Sequence, residues 1–330
     1  MNIACATDDN YVQHCGVMLT SLFENNKGEG IHIYLLTAGL SENNRVSLEN
    51  IVKYYNGTFH YCLLSHDLIK DFPQGGANPQ ITLASYNRFF LPQYLPETET
   101  KVIYLDCDLV VCSSLKSMWE TDITGYALGA IEEYWDLLNG NVEERANRLQ
   151  YDVRYSYFNA GVLLINIAYW RKEDVTQKLL EYIIDYPERI VWHDQDALNA
   201  ILHAHWLKLA GKWNVTPYVL QRVIKIPLDY LPMRTEAILE PGIIHFCSSP
   251  KPWVIGCCHP LRKEYYKYLR LTQWKDFHPS DWYKTTRHFV GNILRSLGIK
   301  EATMMSFSDV QKLRKKQDRN IISGSANTKS

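Results

Sequence analysis

The chain has 330 residues, of which 46% are hydrophobic and 22% charged, and its formal net charge is −1. These proportions are typical of a packed globular protein and exclude a disordered or fibrous one. The longest apolar run, residues 160–170, is shorter than the ~18–20 residues that span a bilayer and contains Asn166. The amino terminus lacks the basic start and apolar core of a signal peptide. We therefore expect a cytoplasmic protein.

The eight cysteines favour a reducing compartment. Several of them, including Cys5 and Cys107, occur in apolar runs, where a free thiol packs as a small hydrophobic group. The adjacent residues Cys257 and Cys258 have no companion Cys-x-x-Cys motif, so we do not expect a zinc site there.

The charges are unevenly distributed along the chain. Residues 261–330 contain 15 basic and 6 acidic residues, whereas residues 1–260 contain 20 basic and 30 acidic residues. Tyrosines and tryptophans alternate with lysines and arginines in the first part of this tail. We therefore predict a body over residues 1–260 and a basic, aromatic tail over residues 261–330, whose extreme end is too polar to be ordered.

The body alternates between strand and helix patterns. Short apolar runs bounded by polar residues predict four strands, at residues 2–6, 31–36, 58–64 and 101–105. Apolar residues at spacings of three and four predict a helix that begins near Val12, and Ser41 is placed to cap a second helix. This alternation predicts an α/β fold with a doubly wound, mostly parallel sheet. Ligands of such sheets bind at the carboxyl ends of the strands.

Two acidic residues follow the fourth predicted strand at once, in the sequence Asp106-Cys107-Asp108. Because side chains alternate along an extended chain, the two carboxylates can face one point. A divalent cation would relieve their repulsion, and hard oxygen ligands suit Mg²⁺ or Mn²⁺. The alternative is a pair of solvated acids at the junction of a strand and a loop.

Two further segments carry polar groups. Residues 193–196, with Asp194, Gln195 and Asp196, precede a helical pattern, and one of the two acids could serve only as a helix cap. Residues 243–253 combine a short strand that ends in His245 with a proline-flanked Lys251. Imidazole is a good ligand for Mn²⁺, and the prolines restrict the turn that carries the lysine. Alone, His245 is more typical of a hydrogen-bonded histidine at the end of a strand.

Together these segments resemble glycosyltransferase family 8, which includes bacterial lipopolysaccharide galactosyl- and glucosyltransferases and glycogenin. The resemblance begins at residues 2–11 and continues in order to Trp253. The motifs that carry it are Asp106-Cys107-Asp108, residues 157–166, residues 194–199, and His245 with residues 251–253. It implies a GT-A type nucleotide-diphospho-sugar transferase fold, a UDP-hexose donor, Mn²⁺ (or Mg²⁺) and retention of the anomeric configuration.

The resemblance also assigns roles by matching motif positions. Asp106, Asp108 and His245 would bind the metal. The remaining donor-site residues that it implies are Ala6, Asp8 and Asn10 at the uridine, Lys251 at the diphosphate, and Arg88, Asn159, Ala160, Asp194 and Gln195 around the hexose. The family usually has glycine where this chain has Ser248, so the backbone N–H of Ser248 can serve the diphosphate only without a left-handed conformation.

The residue types fit the expected reaction. A metal ion and Lys251 would stabilise the charge that develops on the departing UDP. Retention requires either a protein nucleophile and two inversions or attack from the face of the leaving group. The resemblance places Gln195 on the face of the sugar from which a protein nucleophile would attack. An amide is a poor nucleophile. We therefore favour front-face attack, with Asp194 and Gln195 stabilising the sugar, and keep Asp196 as a second candidate nucleophile.

Two alternatives come from other functional classes. A haloacid-dehalogenase-like, Mg²⁺-dependent phosphatase also ends a strand with Asp-x-Asp, but usually near the amino terminus. A catalytically silent sugar-binding protein with the same fold would not need the intact acids, His245 and Lys251. No residue distinguishes galactose from glucose as the transferred sugar. We expect a lipopolysaccharide or another cell-surface glycan as the acceptor, which would be lipid-linked.

The tail suggests a further partner. Apolar residues at helical spacing in the tail form a stripe, Phe289, Val290, Ile293, Leu294 and Leu297, that is surrounded by basic residues. We expect this tail to attach reversibly to an anionic membrane surface on the cytoplasmic side. The alternative is a helix packed on the body with a solvated charged face. The body is acidic and has no known nucleic-acid-binding motif, so nucleic acid is not an expected partner.

Overall fold

The structure is a computed structural model, and it describes residues 1–65, 68, 70, 72–73, 83–134, 140–222, 228–279 and 304–315. The strands are β1 (Asn2–Ala6), β2 (His32–Thr37), β3 (Thr58–Leu63), β4 (Lys101–Leu105), β5 (Leu109–Val111), β6 (Leu128–Glu132), β7 (Phe158–Asn166), β8 (Trp206–Lys208) and β9 (Ile243–His245). Seven of them form one sheet in the order β3-β2-β1-β4-β7-β6-β8, and β5 pairs with β9.

The α-helices connect and cover these strands. They are α1 (Val12–Glu24), α2 (Glu42–Tyr54), α3 (Leu91–Tyr94), α4 (Lys116–Trp119), α5 (Val142–Leu149), α6 (Ile167–Lys172), α7 (Val175–Asp185), α8 (His193–Leu202), α9 (Leu231–Leu239) and α10 (Arg262–Leu269). Short 3₁₀ helices occupy Leu83–Phe90, Pro187–Arg189, Gly211–Asn214, Pro217–Leu220 and Leu228–Tyr230.

The predicted α/β class and mostly parallel sheet are confirmed. Strands β3, β2, β1 and β4 run parallel to one another, whereas β7 is antiparallel to both β4 and β6. The four predicted strands lie within one residue of the observed bounds. Ser41 does precede α2, but its hydroxyl makes no capping bond and donates instead to Asp9 Oδ1 at 3.1 Å. The predicted position of Ser41 before the helix is thus correct, but the predicted capping hydrogen bond is wrong.

Both faces of the sheet are buried, as expected for parallel strands. On β4, Ile103 and Leu105 contribute to the core that α1 covers, whereas Val102 and Tyr104 contribute to the core on the opposite face. This is why these strands are continuous apolar runs instead of alternating ones. Among the described residues, no helix combines the length and apolar character needed to cross a membrane.

The first part of the predicted tail belongs to the same core as the body. Tyr265 and Tyr268 of α10 are each 2% exposed and pack in the cluster that contains β1 and α1. Residues 307–315 are helical, and Val310 is completely buried in that cluster. Helix α10 and residues 307–315 therefore pack against the body. The predicted apolar stripe at residues 289–297 lies outside the described residues.

Candidate active site

The two acids that follow β4 meet a histidine from a distant part of the chain. Strand β5 pairs antiparallel with β9, which places Leu109 opposite His245. His245 Nε2 consequently lies 3.0 Å from Asp108 Oδ1 and 3.8 Å from Asp106 Oδ2. The structure thus brings together the three predicted metal ligands, with one donor atom of each within 4.8 Å of the others.

The surroundings of these three residues fit a divalent cation. His245 Nδ1 lies 3.0 Å from Asn214 Oδ1. A hydrogen donated there leaves the lone pair of Nε2 directed at the acids, as metal-binding histidines require. Gly161 lies against the same group, since a Cβ at this position would overlap the imidazole of His245 and lie 2.8 Å from Asp106 Oδ2. Two carboxylates and an imidazole are a suitable donor set for Mn²⁺ or Mg²⁺.

Arg88 connects Asp106 to the start of α8. It is 2% exposed, its Nη2 donates to Asp106 Oδ1 at 2.9 Å, and its Nε lies 3.0 Å from Asp194 Oδ2. Its guanidinium also lies 4.0 Å from the ring centre of Tyr104. Burial alone would lower the pKa of Arg88, but Asp194, Tyr104 and Asp106 raise it above its ordinary value. The guanidinium is therefore a fixed cation in the floor of the site.

Lys251 occupies the other side of the acid pair. Its Nζ lies 2.5 Å from Asp108 Oδ2 and 2.8 Å from the carbonyl oxygen of Phe246. Burial by itself would raise the pKa of Asp108, but Lys251 and His245 outweigh it and hold this pKa below its ordinary value. Asp108 is therefore a carboxylate at neutral pH.

Aromatic residues from the tail hold the turn that carries Lys251. Trp253 stacks on His14 at a ring distance of 3.6 Å, and His14 Nδ1 is hydrogen-bonded to the hydroxyl of Tyr265 at 2.7 Å. Tyr266 donates its hydroxyl to the carbonyl oxygen of Pro252 at 2.9 Å. The helix α10 thus supports the site as well as the core.

Helix α8 presents Asp194 and Gln195 to the same cleft. Gln195 Oε1 accepts a hydrogen bond from the backbone N–H of Ala160 at 2.9 Å. Burial raises the pKa of Asp194, although the neighbouring Arg88 acts in the opposite direction. His193 at the start of the helix has a φ of 49°, in the left-handed region that is unfavourable for a side-chain-bearing residue.

Asp196 lies behind this strained turn, and its side chain is completely buried. Its carboxylate accepts hydrogen bonds from the backbone N–H groups of Val191 and Trp192 at 2.8 and 2.7 Å and from the hydroxyl of Tyr157 at 2.8 Å. Arg148 donates to both of its oxygens, at 2.9 and 3.2 Å. Both oxygens of this carboxylate therefore accept hydrogen bonds from the protein.

One cleft contains most of the residues that sequence analysis selected. These are Ala6, Asp8, Arg88, Asp106, Asp108, Asn159, Ala160, Asp194, Gln195, His245 and Lys251. The structure also describes the other three selected residues, Asn10, Asp196 and Ser248, but they do not line this cleft. Asn10 is exposed, and its backbone N–H donates to Asp8 Oδ1 at 2.9 Å.

Glu133, Arg145 and Tyr218 are among the polar residues of this cleft that were not predicted from the sequence. Glu133 Oε2 accepts a hydrogen bond from the side chain of Asn159 at 2.8 Å. It follows β6 as Asp106 follows β4, so the rule that selected acids at strand ends would have found it. Arg145 and Tyr218 lie in segments without such a signal.

Comparison with known proteins identifies the family. Residues 2–255 match the sequence model of glycosyl transferase family 8. The chain belongs to glycosyl transferase family 8. This confirms the predicted enzyme class, and the phosphatase alternative is wrong.

The chain is similar to several known proteins over most of its length. It is 31% identical to general stress protein A of Bacillus subtilis over 280 residues, which are 83% of this chain and 94% of that protein. It is 25% identical to the lipopolysaccharide 1,3-galactosyltransferase of Salmonella typhimurium, over 83% of this chain and 79% of that one. The crystal structure of the galactosyltransferase LgtC with donor and acceptor sugar analogues superposes with a TM-score of 0.74 at 26% identity, over 86% of this chain and all of that one. The predicted GT-A fold is confirmed.

Proposed function

We propose that this family 8 enzyme transfers galactose or glucose from UDP-hexose to a glycan acceptor with retention of the anomeric configuration. The observation that carries this proposal is the continuous row of groups in one cleft. One side of the cleft contains Lys251 and the cluster of Asp106, Asp108 and His245. Arg88 connects this cluster to Asp194. Such a row matches a donor whose anionic diphosphate is joined directly to its sugar.

A bound Mn²⁺ would supply a Lewis acid that stabilises the leaving diphosphate, and Asp106, Asp108 and His245 would hold it. The protein's own residues bind the rest of the donor. Lys251 pairs with the diphosphate where charge develops, and Ala6 and Asp8 border the uridine. Ser248 does not line the cleft, so we assign the diphosphate contact to Lys251 alone.

The contacts of Asp194 and Gln195, which we assign to the hexose, support front-face attack. The carboxylate of Asp194 faces Arg88, whose positive charge makes it a weaker nucleophile than a free carboxylate. Gln195 Oε1 accepts a hydrogen bond from the backbone N–H of Ala160. Asp194 and Gln195 would both orient the hexose. We propose that Asp196 positions them instead of attacking the sugar, because its hydrogen bonds to Val191 and Trp192 hold the turn from which α8 begins.

The relatives support the choice of substrates. The Salmonella relative is a lipopolysaccharide galactosyltransferase by name, and LgtC is a galactosyltransferase whose structure contains donor and acceptor sugar analogues. We therefore propose a lipopolysaccharide or a similar surface glycan as the acceptor, in lipid-linked form. We further propose that the enzyme works in the cytoplasm, at the inner face of the membrane, with its basic tail on anionic lipid.

A donor screen tests the function. Purified enzyme is incubated with Mn²⁺, a panel of UDP-sugars and candidate glycans, and UDP release and product mass are measured. We expect release from UDP-galactose or UDP-glucose and a product heavier by one hexose. Asp106→Asn and Asp108→Asn should both lose most of this activity while remaining folded, and EDTA should abolish it. Binding of UDP-sugars without release or transfer would instead support the catalytically silent alternative.

A further inference from the structure

Three cysteine thiols converge beside the predicted metal-binding acids. Cys5 belongs to β1, Cys15 to α1, and Cys107 lies between Asp106 and Asp108. Their Sγ atoms all lie within 4.8 Å of one another, and those of Cys5 and Cys15 are 3.9 Å apart. The side chains of Cys5 and Cys15 are fully buried, and that of Cys107 is 6% exposed. Three separate elements of the fold thus deliver one thiol each to a single point.

The spacing of these sulfur atoms matches a metal ion with thiolate ligands. Sulfur atoms at the corners of a triangle with sides of 3.9 Å lie about 2.3 Å from its centre, which is the usual Zn–S bond length. With sides of 4.8 Å, the same distance is about 2.8 Å. An ion placed between the three thiols would therefore reach all of them after shifts of a few tenths of an ångström.

The two neighbouring clusters differ in their chemistry. The cluster of Cys5, Cys15 and Cys107 offers sulfur alone, whereas Asp106, Asp108 and His245 offer two carboxylates and an imidazole. Soft thiolates select ions such as Zn²⁺ and Cu⁺, and hard oxygen ligands select Mg²⁺ or Mn²⁺. The two clusters therefore take different ions, although they share the loop that contains Cys107.

We propose that Cys5, Cys15 and Cys107 form a binding site for one thiophilic metal ion, and that its occupation inhibits the enzyme. Cys107 lines the substrate cleft, which gives the ion a path to the buried thiols. Each thiol that becomes a ligand exchanges its S–H proton for a bond to the ion, so binding releases up to three protons to solvent.

The inhibition follows from a hydrogen bond that the metal would remove. Cys107 Sγ donates to the carbonyl oxygen of Ala6 at 3.2 Å. A metal-bound thiolate has no proton to donate, so this carbonyl at the end of β1 loses the hydrogen bond from Cys107. Ala6 borders the proposed uridine position, and Asp106 and Asp108 flank Cys107. The inhibition therefore rests on the proposed function, but the binding of the ion does not.

Titration with Cd²⁺ tests the binding directly. The reduced full-length protein is titrated with CdCl₂ while the ultraviolet thiolate-to-cadmium absorption and proton release are recorded. The matched control is Cys62→Ala, because Cys62 is a buried cysteine on β3 that lies outside the cluster. We expect one tight equivalent in the wild type and in Cys62→Ala, and its loss in Cys15→Ala. Exposed Cys258 contributes only weak binding, equal in all three proteins.

Equal titrations of all three proteins, or tight binding without the thiolate absorption, would overturn the site. If Cys15→Ala does not fold, Cys15→Ser keeps the shape of the side chain and removes the soft ligand. In the transfer assay, Zn²⁺ should inhibit the wild type and Cys62→Ala at concentrations at least about tenfold lower than Cys15→Ala. Equal inhibition of all three would place the inhibitory ion on the carboxylates and overturn the regulatory part. A protein without transferase activity would still give the cadmium result, so the two proposals fail separately.

Discussion

Lys251 Nζ lies 2.5 Å from Asp108 Oδ2, while His245 Nε2 lies 3.0 Å from the other oxygen of the same carboxylate. A predicted metal ligand is therefore also the counter-ion of the lysine that we assign to the diphosphate. The ammonium group and a metal ion bound by Asp108 would share the charge of one carboxylate. A metal ion at Asp108 would weaken the pairing of this carboxylate with Lys251, and a diphosphate would offer the ammonium group a second anionic partner. We therefore expect this contact to couple the binding of the metal to that of the donor.

The first prediction follows from this contact. Lys251→Met should raise the affinity for Mn²⁺ measured without donor, because Asp108 then has no competing cation. A hydrogen bond to a charged group contributes about 1.5–3 kcal/mol, so the gain should be about tenfold or more. The affinity for UDP in the presence of Mn²⁺ should fall. Electron paramagnetic resonance of Mn²⁺ gives the first quantity and calorimetry gives the second.

The control for this variant is Lys53→Met, which removes an exposed lysine of α2 that pairs with Glu49. It should change neither affinity. An unchanged or weaker affinity of Lys251→Met for Mn²⁺ would show that the ammonium and the metal do not share Asp108.

The second prediction concerns the backbone beside the predicted metal ligands. Gly161→Ala should abolish Mn²⁺ binding and most activity, because a Cβ at this position overlaps His245 and crowds Asp106. Gly30→Ala is the matched control, since a Cβ there meets nothing within 4 Å. Mn²⁺ binding and thermal melting are measured for both variants. Normal Mn²⁺ affinity in Gly161→Ala would refute the assignment of His245 as a ligand.

The pair of acids that follows β4 was predictable from the sequence because its signal is local. An apolar run that ends in Asp106-Cys107-Asp108 specifies both the strand and the face on which the carboxylates lie. The buried contacts of Asp196 were not predictable, because its partner Arg148 is 48 positions away and belongs to another helix. The same limit applies to the three thiols, since neighbouring elements must first pack before Cys5, Cys15 and Cys107 can meet. Sequence periodicity gives the elements, but contacts between distant elements decide what a buried polar group does.

The third prediction separates a nucleophile from a positioning residue. Gln195→Ala should lower kcat and leave measurable activity, because front-face attack involves no covalent enzyme intermediate. Asp196→Asn should also keep measurable activity, and Arg148→Met should reproduce its defect, because both remove the same buried contact. A nucleophile would not show this equivalence.

Two measurements check this interpretation. Steady-state kinetics compare kcat and KM of the three variants, and intact-protein mass spectrometry looks for a glycosyl adduct during turnover. Trapping a sugar on Asp194, Gln195 or Asp196 would overturn front-face attack. Full activity of Arg148→Met alongside an inactive Asp196→Asn would restore Asp196 as the nucleophile.

The fourth prediction tests the basic tail. The full-length protein should float with anionic liposomes and not with neutral ones, and added salt should weaken this binding. Because Val310 is buried in the core, deletion of the whole tail would also disturb the body. A variant with Phe289→Ser and Leu294→Ser in the predicted apolar stripe is therefore the better comparison, and it should float less. Equal flotation of both proteins, or none at low salt, would exclude the tail as a membrane-binding segment.

The fifth prediction is a pH dependence of stability. Burial lowers the pKa of His259 from its ordinary value of 6.5 to about 3. Its ring is 6% exposed, packs edge-on against Phe246, and accepts a hydrogen bond from the backbone N–H of Leu261 through Nδ1. Between these two pH values the unfolded chain binds a proton at His259 and the folded protein does not. The free energy of unfolding therefore falls as the pH falls, by about 1.4 kcal/mol per pH unit for this one group.

His259→Asn retains an acceptor for Leu261 but cannot be protonated in this range. It should be less stable than the wild type at pH 7, because a buried ring is lost, and its free energy of unfolding should decline less steeply between pH 6.5 and 4.5. Urea unfolding at several pH values measures both slopes. His14, whose pKa burial also lowers to about 3, titrates in both proteins and cancels in the comparison. Parallel slopes would mean that His259 is protonated in the folded protein, and that its burial carries no such penalty.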